Sequence, residues 1–511
     1  MVIRTLFMLA LVVGVPSLSL ISAADSESRL DNKQDEFALA RKVLRDAGQI
    51  GMSIKKALYQ GFILEAVAVS QAKVGDMTGA LQTASHIPDA AGRVIAIGDI
   101  ALIQTALGHE SQGARSFRRA HARTGEVKDK HKRALVLGKL GELEFRSRNG
   151  DPKQSFMEAM RLTTGLSVEE KPSTLFYLGW YQFNAAQEDV AETLKEASRA
   201  LALISDNSRK WLTAFQLAPL QVRVGDSSGA LSTAHLCVDE PAAPLRSNLL
   251  KSVVAAQADQ GMITEALQTG SDIADGIDRE EARGAIIRAY VVKGDIDEAI
   301  RLTETIEYAW ITRVLSLIHI AAFQSTIGDI DEANKRFTQA LNAFEKGVSD
   351  APATTDFRLL TVVRALVEAK QIERATTAAK MIQFPHMKAL ALSTVVDAWI
   401  EAKNQETARS LLAQAEESAT NGVSLEWVAR SYARLGDIKT ALHLAEKIPD
   451  DFDRAYAYQT IADIQTQSGE AKDVIAWVAD LRSPYLKSSA LIGIAYGIMQ
   501  KHGIDVRESV L

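Results

Sequence analysis

The sequence predicts an all-α chain, an α-solenoid of about 12 antiparallel helix pairs. Three observations carry that prediction: a short motif that recurs at a nearly fixed interval, helix-stop and helix-start chemistry inside the motif, and small residues placed for close packing after it. Gly75-Asp76-Met77-Thr78-Gly79-Ala80-Leu81 returns as Gly225-Asp226-Ser227-Ser228-Gly229-Ala230-Leu231. The same frame stands at Gly294-Asp295, Gly328-Asp329 and Gly436-Asp437, and more loosely at Gly108, Gly261 and Gly469, with steps of 33, 36, 33, 34 and 33 residues between neighbours. Lys370 and Lys403 fill the same slot between Gly328 and Gly436.

The turn chemistry explains why each unit is a pair of helices. Apolar residues before the turn fall at helical spacing, as at Leu317, Ile320 and Ala321. The glycine then adopts the left-handed conformation that ends a helix without a side-chain penalty. The aspartate after it caps the next helix, and the spacings Asp329 to Glu332 and Asp295 to Glu298 predict capping boxes. Ala80 and Ala84, Ala230 and Ala234, and Ala441 and Ala445 let second helices approach their neighbours closely.

A hairpin of this size cannot bury its apolar face alone, so neighbouring hairpins must share one core along an open spiral. Gly113, Phe117 and Ala120, and Ala333, Phe337 and Ala340, look like the second helix of the tetratricopeptide repeats. Leu175, Leu178-Gly179 and Gln182, and Leu425, Val428-Ala429 and Tyr432, look like its first helix. From roughly residue 60 to 500 the chain resembles that family, and the resemblance implies a superhelix whose first helices line an inner groove. Small residues in place of Phe in most second helices, and early prolines at Pro88 and Pro449, depart from the family pattern.

The N-terminus carries a targeting pattern. Arg4 precedes the apolar run Leu6 to Val15, and Ser22-Ala23-Ala24 precedes the polar Asp25. Residues 1–24 thus read as a secretory signal peptide cut near Ala24, with a retained membrane anchor as the alternative. Residues 25–60 read as a polar tail with N-terminal capping helices, 61–500 as the repeats, and 501–511 as a C-terminal tail. A periplasmic or secreted location follows, with no membrane span after cleavage. The formal charge of −6 becomes −7 without Arg4, which offers no electrostatic footprint for nucleic acid. The one cysteine, Cys237, cannot form an internal disulfide, so stability must come from packing.

Two ladders repeat with the turns. Four residues before each turn glycine stands Gln71, Gln104, Gln221, Gln257, Tyr290, Gln324, Tyr432 or Gln465, side chains suited to tying one helix to the next. Fifteen residues before stand Gln60, Arg93, Lys210, Arg246, Arg279, Arg313, Asn421 and Arg454. These cations fall near helix starts, where the dipole disfavours them, so anionic partners are expected at Asp89, Asp206, Asp275 and Asp450. The alternative is a basic stripe that grips an acidic polymer.

Motifs for catalysis are missing: there is no phosphate-binding glycine loop, no His-Glu-x-x-His helix and no paired cysteines. Gly225 to Gly229 matches a hydrolase Gly-x-Ser-x-Gly pattern, but it occupies the repeat's helix-to-helix turn rather than a strand-to-helix elbow. No cofactor or metal is expected. The slot six residues before each turn should face the groove, which is apolar early and charged late; Arg288, Arg364, Asp397, Arg430 and Asp463 are the candidate contacts. These features predict a non-catalytic scaffold that binds a protein or peptide. The alternatives are a helical accessory of a cell-envelope enzyme, or a small-ligand sensor.

Overall fold

The computed structural model describes residues 26–236, 243–350, 357–469 and 471–506. Residues 1–24, read above as a signal peptide, Cys237 and residues 507–511 lie outside these residues. The described residues form 26 α-helices and no strand, an α-solenoid of helix hairpins. No helix among them is long and apolar enough to cross a membrane.

The turns follow the sequence pattern closely. Seven of the turn glycines, including Gly75, Gly225 and Gly436, have φ between +74° and +87°. Lys370 and Lys403 adopt φ of 59° and 60° in the same slot, as do Arg148 (53°) and Ala186 (47°), where side chains bear the strain that glycine avoids. Gly469 differs: its φ is −147°, so the last of the looser matches is not a left-handed turn. Across each turn the amide beyond the glycine donates back to the residue five positions earlier, as from Asp76 to the Gln71 carbonyl (2.8 Å) and from Asp226 to that of Gln221 (2.8 Å). Asp76, Asp226 and Asp437 cap the following helices through the amides of Gly79, Gly229 and Thr440.

The capping box expected at Asp295 does not form. Asp295 makes no side-chain cap bond, and Glu298 is held by Arg301 at 2.6 Å. Glu332 is likewise taken by Lys335 and Arg336, both at 3.3 Å. At Glu298 a cation three residues ahead outcompetes the helix-start amide for the glutamate.

First helices pack side by side in chain order, and second helices pack behind them. The circuit runs through Ala57–Lys73, Ala90–Ala106, Lys130–Ser147, Lys171–Asn184, Asn207–Arg223, Ala243–Asp259 and Gly276–Lys293. It continues through Trp310–Thr326, Arg358–Glu368, Pro385–Glu401, Gly422–Arg434, Asp451–Ser468 and Pro484–Lys501, and this last helix packs on Ala57–Lys73. The expected open spiral is therefore a closed ring. The helix Ser26–Gly51 lies against Pro484–Lys501 and acts as its second helix, so the two ends of the described chain build one hairpin and the 26 helices make thirteen pairs.

The closure is apolar at its centre and polar at its rim. Ala40, Val43, Leu44 and Ala47 belong to one continuous core with Leu491, Ile494 and Ile498. Tyr59 stacks on Tyr485 with ring centroids 4.5 Å apart, and Ser488 donates to the Ala47 carbonyl at 3.2 Å. Glu36 takes both Lys501 Nζ and His502 Nε2 at 2.6 Å. These contacts correct the reading of a free polar tail at either end: Glu36 and Lys501 join each other across the seam, and Val506 is buried.

Candidate interaction surface

Each first helix has a first helix on either side and a second helix behind it, so its remaining exposed strip faces inward. Two contacts that skip a helix show that this strip is concave. Phe62 meets Phe452 across the face of Pro484–Lys501 at 5.8 Å between rings, and Arg358 pairs with Glu281 across Trp310–Thr326.

Four glutamines of the ladder, Gln71, Gln104, Gln221 and Gln465, are structural. Gln71, Gln104 and Gln221 accept hydrogen bonds from Thr83 (2.8 Å), Ser116 (2.7 Å) and Thr233 (2.7 Å), each twelve residues on in the second helix. Gln465 accepts from the Trp477 indole in the same register at 2.9 Å. First and second helices are thus bolted together inside each of these hairpins.

Three cations of the basic ladder, Arg93, Arg279 and Arg454, are structural too, with backbone partners rather than the acidic side chains expected. Arg279 donates to the carbonyls of Ile273 (2.9 Å) and Ala274 (3.2 Å), and Arg454 to those of Ile448 (2.8 Å) and Pro449 (3.1 Å). Arg93 does the same to Ile87 and Pro88. Each guanidinium sits at the C-terminal end of the preceding second helix, where the dipole favours a cation. Asp89, Asp206, Asp275 and Asp450 instead cap their own helices through backbone amides. Arg279→Ala and Arg454→Ala are each expected to cost about 1 to 3 kcal/mol of stability in urea unfolding. No measurable loss in either would show that water replaces the guanidinium at those carbonyls.

Of the candidate groove residues, the structure brings together Asp397 and Arg430, and they neutralise one another. Asp397 accepts from Arg430 (2.5 Å), Arg434 (2.9 Å) and Ser431 (3.2 Å), and Arg434 also reaches Glu401 at 3.1 Å. Asp463 accepts from Gln467 (2.7 Å) and Gln500 (3.2 Å). Arg288 lies 3.9 Å from Asp259, and burial together with Arg288 pushes the neighbouring His319 down to about 4. Arg364 is half-buried on its own helix. The slot six residues before the turn is inward, but most of its charge is engaged by adjoining helices.

The accessible inner row lies further back, thirteen residues before each turn. Among its members are Phe62, Ile95, Leu212, Phe357, Val423 and Tyr456, and Phe62, Phe357 and Tyr456 are 46%, 51% and 49% exposed. Counting that row through the repeats would have found it in the sequence. Deeper on the wall, Asp99 is 5% exposed, and burial, followed by the opposing influences of Lys139 and Glu65, raises its carboxyl to about 7.

One arrangement imitates a catalytic triad. Glu144 accepts from Ser155 Oγ at 2.6 Å and contacts His121 Nε2 at 2.8 Å, while Ser155 and His121 lie 3.4 Å apart. The serine gives its proton to the carboxylate rather than to the imidazole, and it is only 1% exposed. The cluster joins three helices through a partly exposed imidazole, whose pKa the hydrogen bond to Glu144 raises. Ser227 likewise opens a helix directly after the Gly225 turn. No cluster among the described residues has the donors to hold a metal ion.

No family model matches the chain, and no curated protein does. Solved structures similar to it include Ton1535 from Thermococcus onnurineus NA1, at 16% identity and a TM-score of 0.31, covering 76% of this chain and 96% of that one. A human IFIT1 dimer with PPP-AAAA is similar at 13% identity and a TM-score of 0.24, covering 79% and 98%. Naa15/Naa10 bound to HypK-THB is similar at 11% identity and a TM-score of 0.28, covering 92% and 79%. At these identities and scores the likeness carries no argument about this chain.

Proposed function

We propose that this chain is an exported, non-catalytic scaffold of tetratricopeptide type that holds a protein or peptide segment against the inner wall of its ring. The observation that carries the reading is the row of exposed apolar side chains at Phe62, Phe357, Val423 and Tyr456. Large apolar side chains repeated along one concave face, on helices held by packing against their neighbours, are the makings of a binding surface. Export rests on the pattern of residues 1–24, and N-terminal sequencing of the secreted or periplasmic protein checks it.

The test is capture from an envelope extract by the mature chain and by a Phe62→Ser, Val423→Ser, Tyr456→Ser variant with unchanged circular dichroism. A partner that the parent retains and the variant loses is the expected result. Equal retention of every captured protein would contradict inner-wall binding. Captured nucleic acid that resists nuclease only when bound to the parent would replace the protein partner with an RNA or DNA one.

A further inference from the structure

The inner wall beside the ring closure combines exposed aromatic side chains with carboxylates that outnumber the cations around them. Val423, Phe452 and Tyr456 are 44%, 40% and 49% exposed on adjacent first helices, and Phe62 meets Phe452 from across the seam. Trp427 lies beneath the Arg430 guanidinium at 4.9 Å. The nearby cations are largely committed: Arg430 and Arg434 neutralise Asp397 and Glu401, and Arg454 donates to two carbonyls and lies 3.6 Å from Asp451. Lys56 rests over Tyr59 at 4.7 Å. Asp450 is directed to the amides of Phe452 and Asp453 rather than to a cation, and the half-buried Glu426 feels Arg430, whose guanidinium is already bonded to Asp397.

We propose that this part of the wall binds a basic, apolar peptide segment of another protein, its apolar side chains on Phe62, Val423, Phe452 and Tyr456 and a lysine or arginine against Glu426. The proposal rests on the inner-wall reading above and adds the charge and the place of the occupant. Aromatic side chains supply rigid contact area, and the excess of carboxylates selects a cationic partner over an anionic one.

The Glu426 carboxyl gives the complex a pH signature. Burial raises this group to about 7, with Arg430 opposing and Asp453 and Asp397 adding to the rise. A bound cation favours the ionised form, so complex formation releases a proton and tightens as pH rises from about 6 to about 8.

The test uses the mature chain and three fluorescent fourteen-residue probes in which leucine alternates with lysine, glutamate or serine, read by anisotropy. Hydrogen exchange then maps the bound probe. The Leu/Lys probe is expected to bind best and to protect residues 422–434 and 451–468. Phe452→Ala with Tyr456→Ala should weaken it about tenfold or more. Glu426→Gln should weaken it about fivefold and abolish the pH dependence. Circular dichroism and unfolding midpoints confirm that these variants keep the fold. Equal binding of the three probes on the inner wall would overturn the basic-partner proposal and leave the inner-wall reading standing. Protection confined to second helices would overturn both.

Discussion

Gly493→Val is expected to open the ring and to cost more stability than the loss of any one cation of the basic ladder. A Cβ at Gly493 would collide with the Gln459 carbonyl oxygen, and one at Gly497 would lie 2.6 Å from that of Asp463. Backbone cannot yield as the end of a flexible side chain does, so Pro484–Lys501 must back away from Asp451–Ser468. That separation breaks the packing between the last two first helices, displaces the helix on which the ring closes, and strips apolar cover from Leu491, Ile494 and Ile498. A loss of about 3 kcal/mol or more is expected, seen as a lowered urea midpoint and increased binding of an apolar dye. Gly276→Ala is the control, because nothing lies within 4 Å of the Cβ built there. Similar losses in both variants would show that close approach at Gly493 is not what holds Pro484–Lys501 against Asp451–Ser468.

Asp99→Asn is expected to stabilise the protein at pH 8 and to leave it nearly unchanged at pH 4. Asp99 is a buried carboxyl whose charged form lacks adequate solvation, so folding favours its protonated state. Its folded value, raised to about 7 from 3.8, means that below the unfolded value the acid is neutral in both states. As pH climbs from the unfolded value through the folded one, the unfolded chain ionises first and folding loses free energy. The parent thus pays a penalty on the order of 4 kcal/mol once Asp99 is fully ionised, and asparagine removes it. Lys139 and Arg146 oppose the penalty, Glu65 and Glu142 add to it, and all four remain in the variant. Urea unfolding of both proteins between pH 4 and pH 8 provides the measurement. A variant less stable than the parent at pH 8 would mean that the Asp99 charge is well satisfied by those cations.

Much of the hairpin architecture was legible in the sequence because the turn is local chemistry. Gly75, Gly225 and Gly436 require the left-handed conformation wherever the chain folds back, and Asp76, Asp226 and Asp437 cap whatever helix follows. Even Lys370 and Lys403 could be placed by spacing alone. Closure was not legible in the same way, since Ser488 reaches Ala47 across 441 positions and the pairing of their helices follows no repeat register. One signal was available: the stretch Ser488 to Met499 is apolar on every side of its helix, the pattern of a helix surrounded by others, and Gly493 and Gly497 stand four residues apart within it.

The candidate site was only partly readable for a related reason. Helical phase was the ground for expecting Asp397, Arg430 and Asp463 in the groove, and in the structure Asp397 is buried against Arg430, Arg434 and Ser431. Whether a charge is available there depends on the side chain 33 residues away on the next helix, and Asp397 and Arg430 satisfy each other across that step. The partners of Arg279 and Arg454 were missed on similar grounds. Backbone carbonyls at the end of the preceding helix are invisible to a search for acidic side chains.

The closed ring is tested most directly by a distance between its two ends. In a chain with Cys237→Ser, spin labels on Asp35→Cys and Asp505→Cys, two exposed positions on either side of the seam, are measured by pulsed electron resonance. Both positions leave the Glu36 contacts with Lys501 and His502 in place, and those contacts require one short, narrow distance distribution. A broad distribution centred at long distances would mean that the hairpins run on as an open superhelix.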